Sequence, residues 1–182
     1  MSTLLTVGHG EATQAELTDL LVGAEVGLVV DVRRFPGSRR HPHFARSEIE
    51  HWLPAAGIEY RWEPRLGGRR RPSPEDADSD PWWKVEAFRA YAAHTRTQEF
   101  RAGMGDLLAD VSRCRDASVA VMCSESLWWR CHRRLIADVA VLIHQVSVRH
   151  LGHDGRLTDH VPAAGARISA DGLRYDVPEA AH

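Results

Sequence analysis

The sequence predicts an α/β domain, a mainly parallel sheet flanked by helices with a C-terminal β-hairpin. Short runs of strand length and apolar character recur at residues 4–7, 27–32, 58–62 and 118–122, with helical spacing between them. Strands that alternate with helices build parallel sheets joined by right-handed crossovers. Near the end, residues 146–151 and 156–161 flank Asp154-Gly155, a hairpin turn signal.

Each element has a local reason. The first strand is broken by Gly8-His9-Gly10, and Thr13 with Glu16 forms a capping box for a helix running to about Val22 and ended by Gly23. The second strand carries Leu28-Val29-Val30, the continuous apolar run of a strand covered on both faces. A polar loop rich in Arg, Pro and His follows from residue 33 to 44. Ser47 and Glu50 form a second capping box, for a helix limited by Pro54 and Gly57. Residues 63–81 are too polar and proline-rich for regular structure, and a loop of that length is expected to bind something or to be disordered. Residues 82–94 and 97–112 have helical spacing, with Phe88, Tyr91 and Ala92 on one face, then Phe100, Met104, Leu107, Leu108 and Val111 on another. Residues 129–144 read as the helix after the fourth strand, with Leu135, Ile136, Val139, Leu142 and Ile143 at core spacing. Residues 1–161 are therefore expected to form a single domain, and residues 162–182 a C-terminal tail.

The 182 residues are 43% hydrophobic and 26% charged, a soluble globular balance. No segment approaches the roughly 20 apolar residues of a membrane span, and the first residues lack the basic and apolar regions of a signal peptide. The expected location is the cytoplasm. Three cysteines cannot all pair internally, and in a reducing compartment this points to packing, metal binding or reactivity. Net charge is −2, yet the positive charge is nearly all arginine, Lys84 being the only lysine. It clusters at Arg33, Arg34, Arg39 and Arg40, then at Arg65, Arg69, Arg70 and Arg71. Genomic base composition is one source of such a bias; guanidinium forks on loops also suit phosphate or carboxylate.

Ligands of open parallel sheets bind outside the carboxyl ends of the strands, where the next helix favours negative charge. His9, Asp31, Arg33 and Cys123 all fall at such ends, so a shared site is expected. Cys123 is the expected nucleophile or key thiol, acidified by the following helix and by Arg130 and Arg133. The alternative is a buried small hydrophobe closing its strand. Asp31 or Glu125 would serve as acid or base, with a salt bridge from Asp31 to Arg33 or Arg39 as the structural alternative. His9 and His132 would carry or donate protons, and Arg33, Arg39, Arg40, Arg69, Arg130 and Arg133 would clamp an anion. Cys131 is a second thiol in the same stretch. If Cys131 and His132 occupy the first helical turn they project about 100° apart, so only one faces the loop.

A zinc reading takes Cys123, Cys131, His132 and a distant His9, but Cys-x7-Cys-His is no recognised zinc spacing. No cofactor is expected. Phe35, Phe44 and Trp62 lie in or beside the arginine loops, where bases could stack. The expected partner is a phosphate-bearing small molecule or a nucleic acid, with no membrane. The pairs Trp82-Trp83 and Trp128-Trp129 suit core anchors, stacking surfaces or a homodimer interface.

Several segments carry a family resemblance as a set. They are Thr6-Val-Gly-His9, Val30-Asp-Val-Arg33 with Phe35-Pro-Gly-Ser-Arg-Arg40, Gly57-Ile-Glu-Tyr60 leading to Leu66-Gly-Gly-Arg69, Met122-Cys-Ser-Glu125, Cys131-His-Arg133 and Leu135-Ile-Ala-Asp138. From about Thr6 to Val161 the chain resembles the DUF488 family. The resemblance implies a compact α/β domain of Rossmann-like or rhodanese-like character and implies no reaction, since the family is named for its unknown function. The tyrosine-phosphatase loop needs an arginine six positions after its cysteine; here that position is Trp129, with Arg130 one further on. A rhodanese loop also carries a cysteine after a central strand and encircles an anion, which keeps sulfur transfer open. The first expectation is a cysteine-dependent enzyme acting on a nucleotide or nucleic acid. Beside it stand a noncatalytic nucleic-acid-binding or regulatory module and a rhodanese-like sulfur or redox enzyme.

Overall fold

A computed structural model describes residues 3–180. In chain order it contains β1 (Leu4–Gly8), α1 (Gln14–Gly23), β2 (Val26–Asp31), α2 (Arg46–Ala55), β3 (Glu59–Trp62), α3 (Glu86–His94), α4 (Gln98–Arg113), β4 (Ser118–Cys123), α5 (Arg133–Leu142), β5 (Val148–Leu151), β6 (Leu157–Asp159), β7 (Ala166–Ser169) and β8 (Gly172–Tyr175). The main sheet has the order β3-β2-β4-β1-β5-β6, parallel throughout except for β6, which returns antiparallel along β5. The predicted α/β class, with its mainly parallel sheet and C-terminal hairpin, is what forms.

The strands are apolar on both sides because both sides are covered. Leu4, Leu28, Val30, Val119 and Val121 point to the face packed by α3, α4 and α5, and Leu5, Val7, Val29, Ala120 and Met122 to the face packed by α1 and α2. Each large aliphatic side chain fully buried in this way stabilises the fold by roughly 1.5–3 kcal/mol. Strands β1 and β4 are neighbours, yet the helices that follow them, α1 and α5, lie on opposite faces. Their connections therefore diverge and leave a crevice at their carboxyl ends, the place where open α/β sheets bind ligands.

Four local expectations need correction. The Ser47/Glu50 capping box does not form: Ala45 is the N-cap of α2, because the 3-10 turn Pro42–Phe44 runs straight into the helix. The helix expected from Trp129 starts later. Trp128–Arg130 form a single 3-10 turn, Cys131 is extended (φ −122°, ψ 150°), and α5 begins at Arg133. The stacking of Trp128 on His150, with ring centroids 4.0 Å apart, and the bond from the Arg133 amide to the Cys131 sulfur set this path against helical periodicity. The long loop over residues 63–81 is ordered, pinned by buried Glu63 between Arg61 and Arg65 and by buried Asp80 against Arg96.

The fourth correction concerns the expected tail. The hairpin predicted over residues 146–161 is β5–β6, the edge of the main sheet. Beyond Pro162 lies a second hairpin, β7–β8, with Leu173 and Tyr175 fully buried. Its composition looks tail-like because only alternate residues of β8 face inward. The Tyr175 amide donates to Asp80, and the Arg96 guanidinium donates to both Asp80 and the Leu173 carbonyl. Residues 181 and 182 lie outside the described residues. No described helix is long and apolar enough to cross a membrane.

Candidate active site

A cavity of about 740 Å³ opens at the carboxyl edge, over the crevice between β1 and β4. Of the site residues expected from the sequence, all but Asp31 and Arg133 line it, and both arginine loops reach it. Glycines permit the convergence. A Cβ on Gly8, which pairs in register with Cys123, would collide with the Glu125 carbonyl. A Cβ on Gly67 would sit 2.7 Å from the Arg34 backbone, and one on Gly68 2.9 Å from His132 Nδ1. The second arginine loop thus lies directly against the first and against the cysteine loop. Tyr91 Oη donating to the Leu66 carbonyl and His94 Nε2 bonded to the Arg65 carbonyl fix it from beneath.

The floor holds two free thiols, Cys123 at the end of β4 and Cys131, both buried, and the Cys123 thiol donates to the Glu125 carbonyl at 3.8 Å. Burial opposes ionisation of either one, and the pair divides the burden unequally. Burial and the neighbouring Cys131 sulfur hold the Cys123 thiol well above its ordinary value. At Cys131 the proximity of Cys123, His132 and Arg133 overcomes burial and holds the thiol well below it. The nitrogen donors of the site thus converge on Cys131 rather than on Cys123. The Cys131 sulfur accepts from the Arg133 amide at 3.5 Å and from Arg133 Nε at 3.4 Å, at the N-terminus of α5. Because Cys131 is extended rather than helical, it and His132 both face the site.

Arg133 is a buried cation, and among the described residues no carboxylate lies within ion-pair distance of it. Burial disfavours its charge, and the two sulfurs more than offset that, raising its pKa. A buried charge is tolerated when it is paired, and here the pairing group is the thiol pair.

The remaining residues take varied roles. His9 stacks on Phe44 at 4.2 Å, and its Nδ1 bonds to the Gly10 carbonyl, so the ring presents Nε2 as an acceptor. That nitrogen is buried with no partner, and burial lowers the pKa of His9 to about 4. His132 Nε2 lies 3.2 Å from the Val32 carbonyl, to which it donates, and its Nδ1 lies 3.6 Å from the Cys131 sulfur. Glu125 caps its own turn through the Leu127 amide, and its carbonyl accepts from Arg133 Nη2. Asp31 ties the first arginine loop to the sheet. It is fully buried, holds Arg33 in a fork at 2.9 and 2.7 Å, and accepts from Tyr60 Oη at 2.6 Å. Arg33 forks onto Asp31 through Nε and Nη2 while also lining the cavity.

Arg39, Arg69 and Arg130 are exposed at the cavity and have no carboxylate partner among the described residues. Arg40 meets only exposed Glu11, at 3.6 Å. Arg34 and Phe35 were not expected as site residues, although the same Arg-rich run contained them. The Arg34 guanidinium lies 5.2 Å from the centroid of the largely exposed Phe35 ring. Tyr91 also lines the cavity, and nothing in its helical spacing distinguished it from a core aromatic. No three His, Cys, Asp or Glu side chains among the described residues group as metal ligands.

The sequence profile of the domain of unknown function DUF488 matches residues 13–140. The chain belongs to the DUF488 family. The matched stretch of this DUF488 protein contains both arginine loops and both site cysteines, while His9 on the adjoining strand end precedes it. No curated protein and no solved structure matches the chain.

Proposed function

We propose that the protein is a cysteine-dependent enzyme acting on a phosphate-bearing substrate, a nucleotide or nucleic acid, with Cys131 as nucleophile. The observation that carries this reading is the Arg133–Cys131 contact: a buried guanidinium without a carboxylate partner, bonded to a sulfur at the floor of an arginine-rimmed cavity. Arg39, Arg69 and Arg130 would hold the phosphate group, Arg34 and Phe35 would cover a base, and Cys131 would attack an electrophilic centre of the bound substrate. His132, with Nδ1 facing the sulfur, would carry the proton between thiol and leaving group.

The placement of Cys123 and Cys131 on one cavity floor favours a second reading, sulfur transfer or thiol redox chemistry, in which one thiol resolves an adduct on the other. One experiment separates these readings from a noncatalytic nucleic-acid binder. Iodoacetamide alkylation is followed against pH by peptide mass spectrometry, with Cys114 as internal reference, with and without inorganic phosphate or a single-stranded oligonucleotide. Labelling of Cys131 with a midpoint well below about 8.5, slowed by the anions, supports the enzyme. Slow labelling of all three cysteines beside salt-sensitive oligonucleotide binding supports the binder. A persulfide on Cys131 after incubation with thiosulfate supports sulfur transfer.

A further inference from the structure

Behind the thiol pair, on the far side of Arg133, a line of buried polar side chains crosses the core. Tyr175 Oη donates to Asp138 Oδ2 at 2.8 Å, and His160 Nε2 lies 2.6 Å from Asp138 Oδ1. His150 Nε2 lies 2.9 Å from His160 Nδ1, and Thr6 Oγ1 lies 2.6 Å from His150 Nδ1. Arg133 Nη1 lies 3.4 Å from Thr6 Oγ1, while its Nε bonds the Cys131 sulfur. Thr6, Asp138, His150 and His160 are all buried, and Trp128 stacks flat on His150.

With His160 neutral the chain has one direction. A carboxylate only accepts, so His160 donates from Nε2 and presents the Nδ1 lone pair. His150 must then donate from Nε2 and accept at Nδ1 from the Thr6 hydroxyl, which leaves the Thr6 oxygen as acceptor for Arg133. We infer that Asp138, His160, His150 and Thr6 form a positioning relay that aims the Arg133 guanidinium at the Cys131 sulfur. The inference rests on the reading of Cys131 as the reactive thiolate. Thr6 is the telling member: it stands in central β1 between Leu5 and Val7, where valine would fill the same volume. Thr6, His150, His160 and Tyr175 all lie outside the matched family segment, so the relay ties the catalytic loop to the end strands and the C-terminal hairpin.

The test is the pH profile of Cys131 alkylation in Thr6→Val and Thr6→Ser. The groups facing Cys131 are Cys123 from β4, His132 and Arg133 at the start of α5, and Tyr91 from α3, and both variants keep them all. Thr6→Val is expected to raise the alkylation midpoint by about one pH unit, slowing labelling near neutral pH by about tenfold, and Thr6→Ser to restore it. A purely structural role would lower the melting temperature and leave the midpoint alone; that result in a folded Thr6→Val protein overturns the relay. Should Thr6→Val not fold, His150→Phe and His150→Asn carry the same comparison. Phenylalanine keeps the stack on Trp128 without an acceptor for Thr6, whereas asparagine supplies one, so the midpoint should rise only in the first. An ordinary midpoint for Cys131 in the unaltered protein is a different failure: it overturns the functional reading and the relay together.

Discussion

Arg133 Nε stands 3.4 Å from the Cys131 sulfur, and Nη2 of the same guanidinium donates to the Glu125 carbonyl, which also accepts from the Cys123 thiol. One buried cation thus stands beside two thiols, and its nitrogen donors reach the Cys131 sulfur. Alkylation should therefore modify Cys131 first. Cys131→Ser should abolish the fast phase, and Cys123→Ala should retain it, because the Arg133 donors to Cys131 remain. Peptide mapping of the alkylated protein decides; a fast phase that tracks Cys123 would reverse the assignment.

Asp31, Arg33 and Tyr60 hold the first arginine loop to the sheet. Asp31→Ala leaves Arg33 buried without its partner and should cost about 3–5 kcal/mol of stability. Urea denaturation measures it. A stable Asp31→Ala protein that has lost turnover alone would restore Asp31 to a catalytic role.

Exposed, unpaired Arg39, Arg69 and Arg130 should govern anion affinity, whereas Arg33 should not. Each change to alanine should weaken binding of a single-stranded oligonucleotide and lower the slope of log K against log salt by about 0.7 for every phosphate that is no longer neutralised. Fluorescence anisotropy at several salt concentrations reads both. Unchanged slopes in all three variants would exclude this cavity as the anion site.

Two buried histidines should make the protein acid-sensitive. Burial lowers His9 from 6.5 to about 4 and, with help from His160 and Arg133, lowers His150 from 6.5 to about 3. Above pH 6.5 both are neutral whether the chain is folded or not. As pH falls the unfolded chain takes up protons that the native state refuses, so stability drops until the folded values are reached. Each histidine adds a slope of about 1.4 kcal/mol per pH unit within its window. His9→Asn should keep the bond to the Gly10 carbonyl and remove one proton's worth of slope between pH 6 and 4, measured by denaturant unfolding across that range.

Sequence alone determined the layered α/β class, because a parallel sheet covered on both faces demands continuous apolar runs, and those runs at residues 28–30 and 119–122 have few other uses. It also determined which strand ends carry polar chemistry, since His9, Asp31 and Cys123 each follow such a run directly. Tertiary structure alone decided what each does. Asp31 ties down the first arginine loop and donors converge on Cys131 because hydrogen-bond partners come from other strands and loops, which spacing along the chain does not encode. The folded C-terminal hairpin escaped detection for a related reason: Leu173 and Tyr175 are too few to mark a periodic pattern, and Asp80 and Arg96, which hold them, lie far away in sequence. The relay from Asp138 to Thr6 spans the fold in the same way, joining residues whose only common property in the sequence is that each can donate or accept one hydrogen bond.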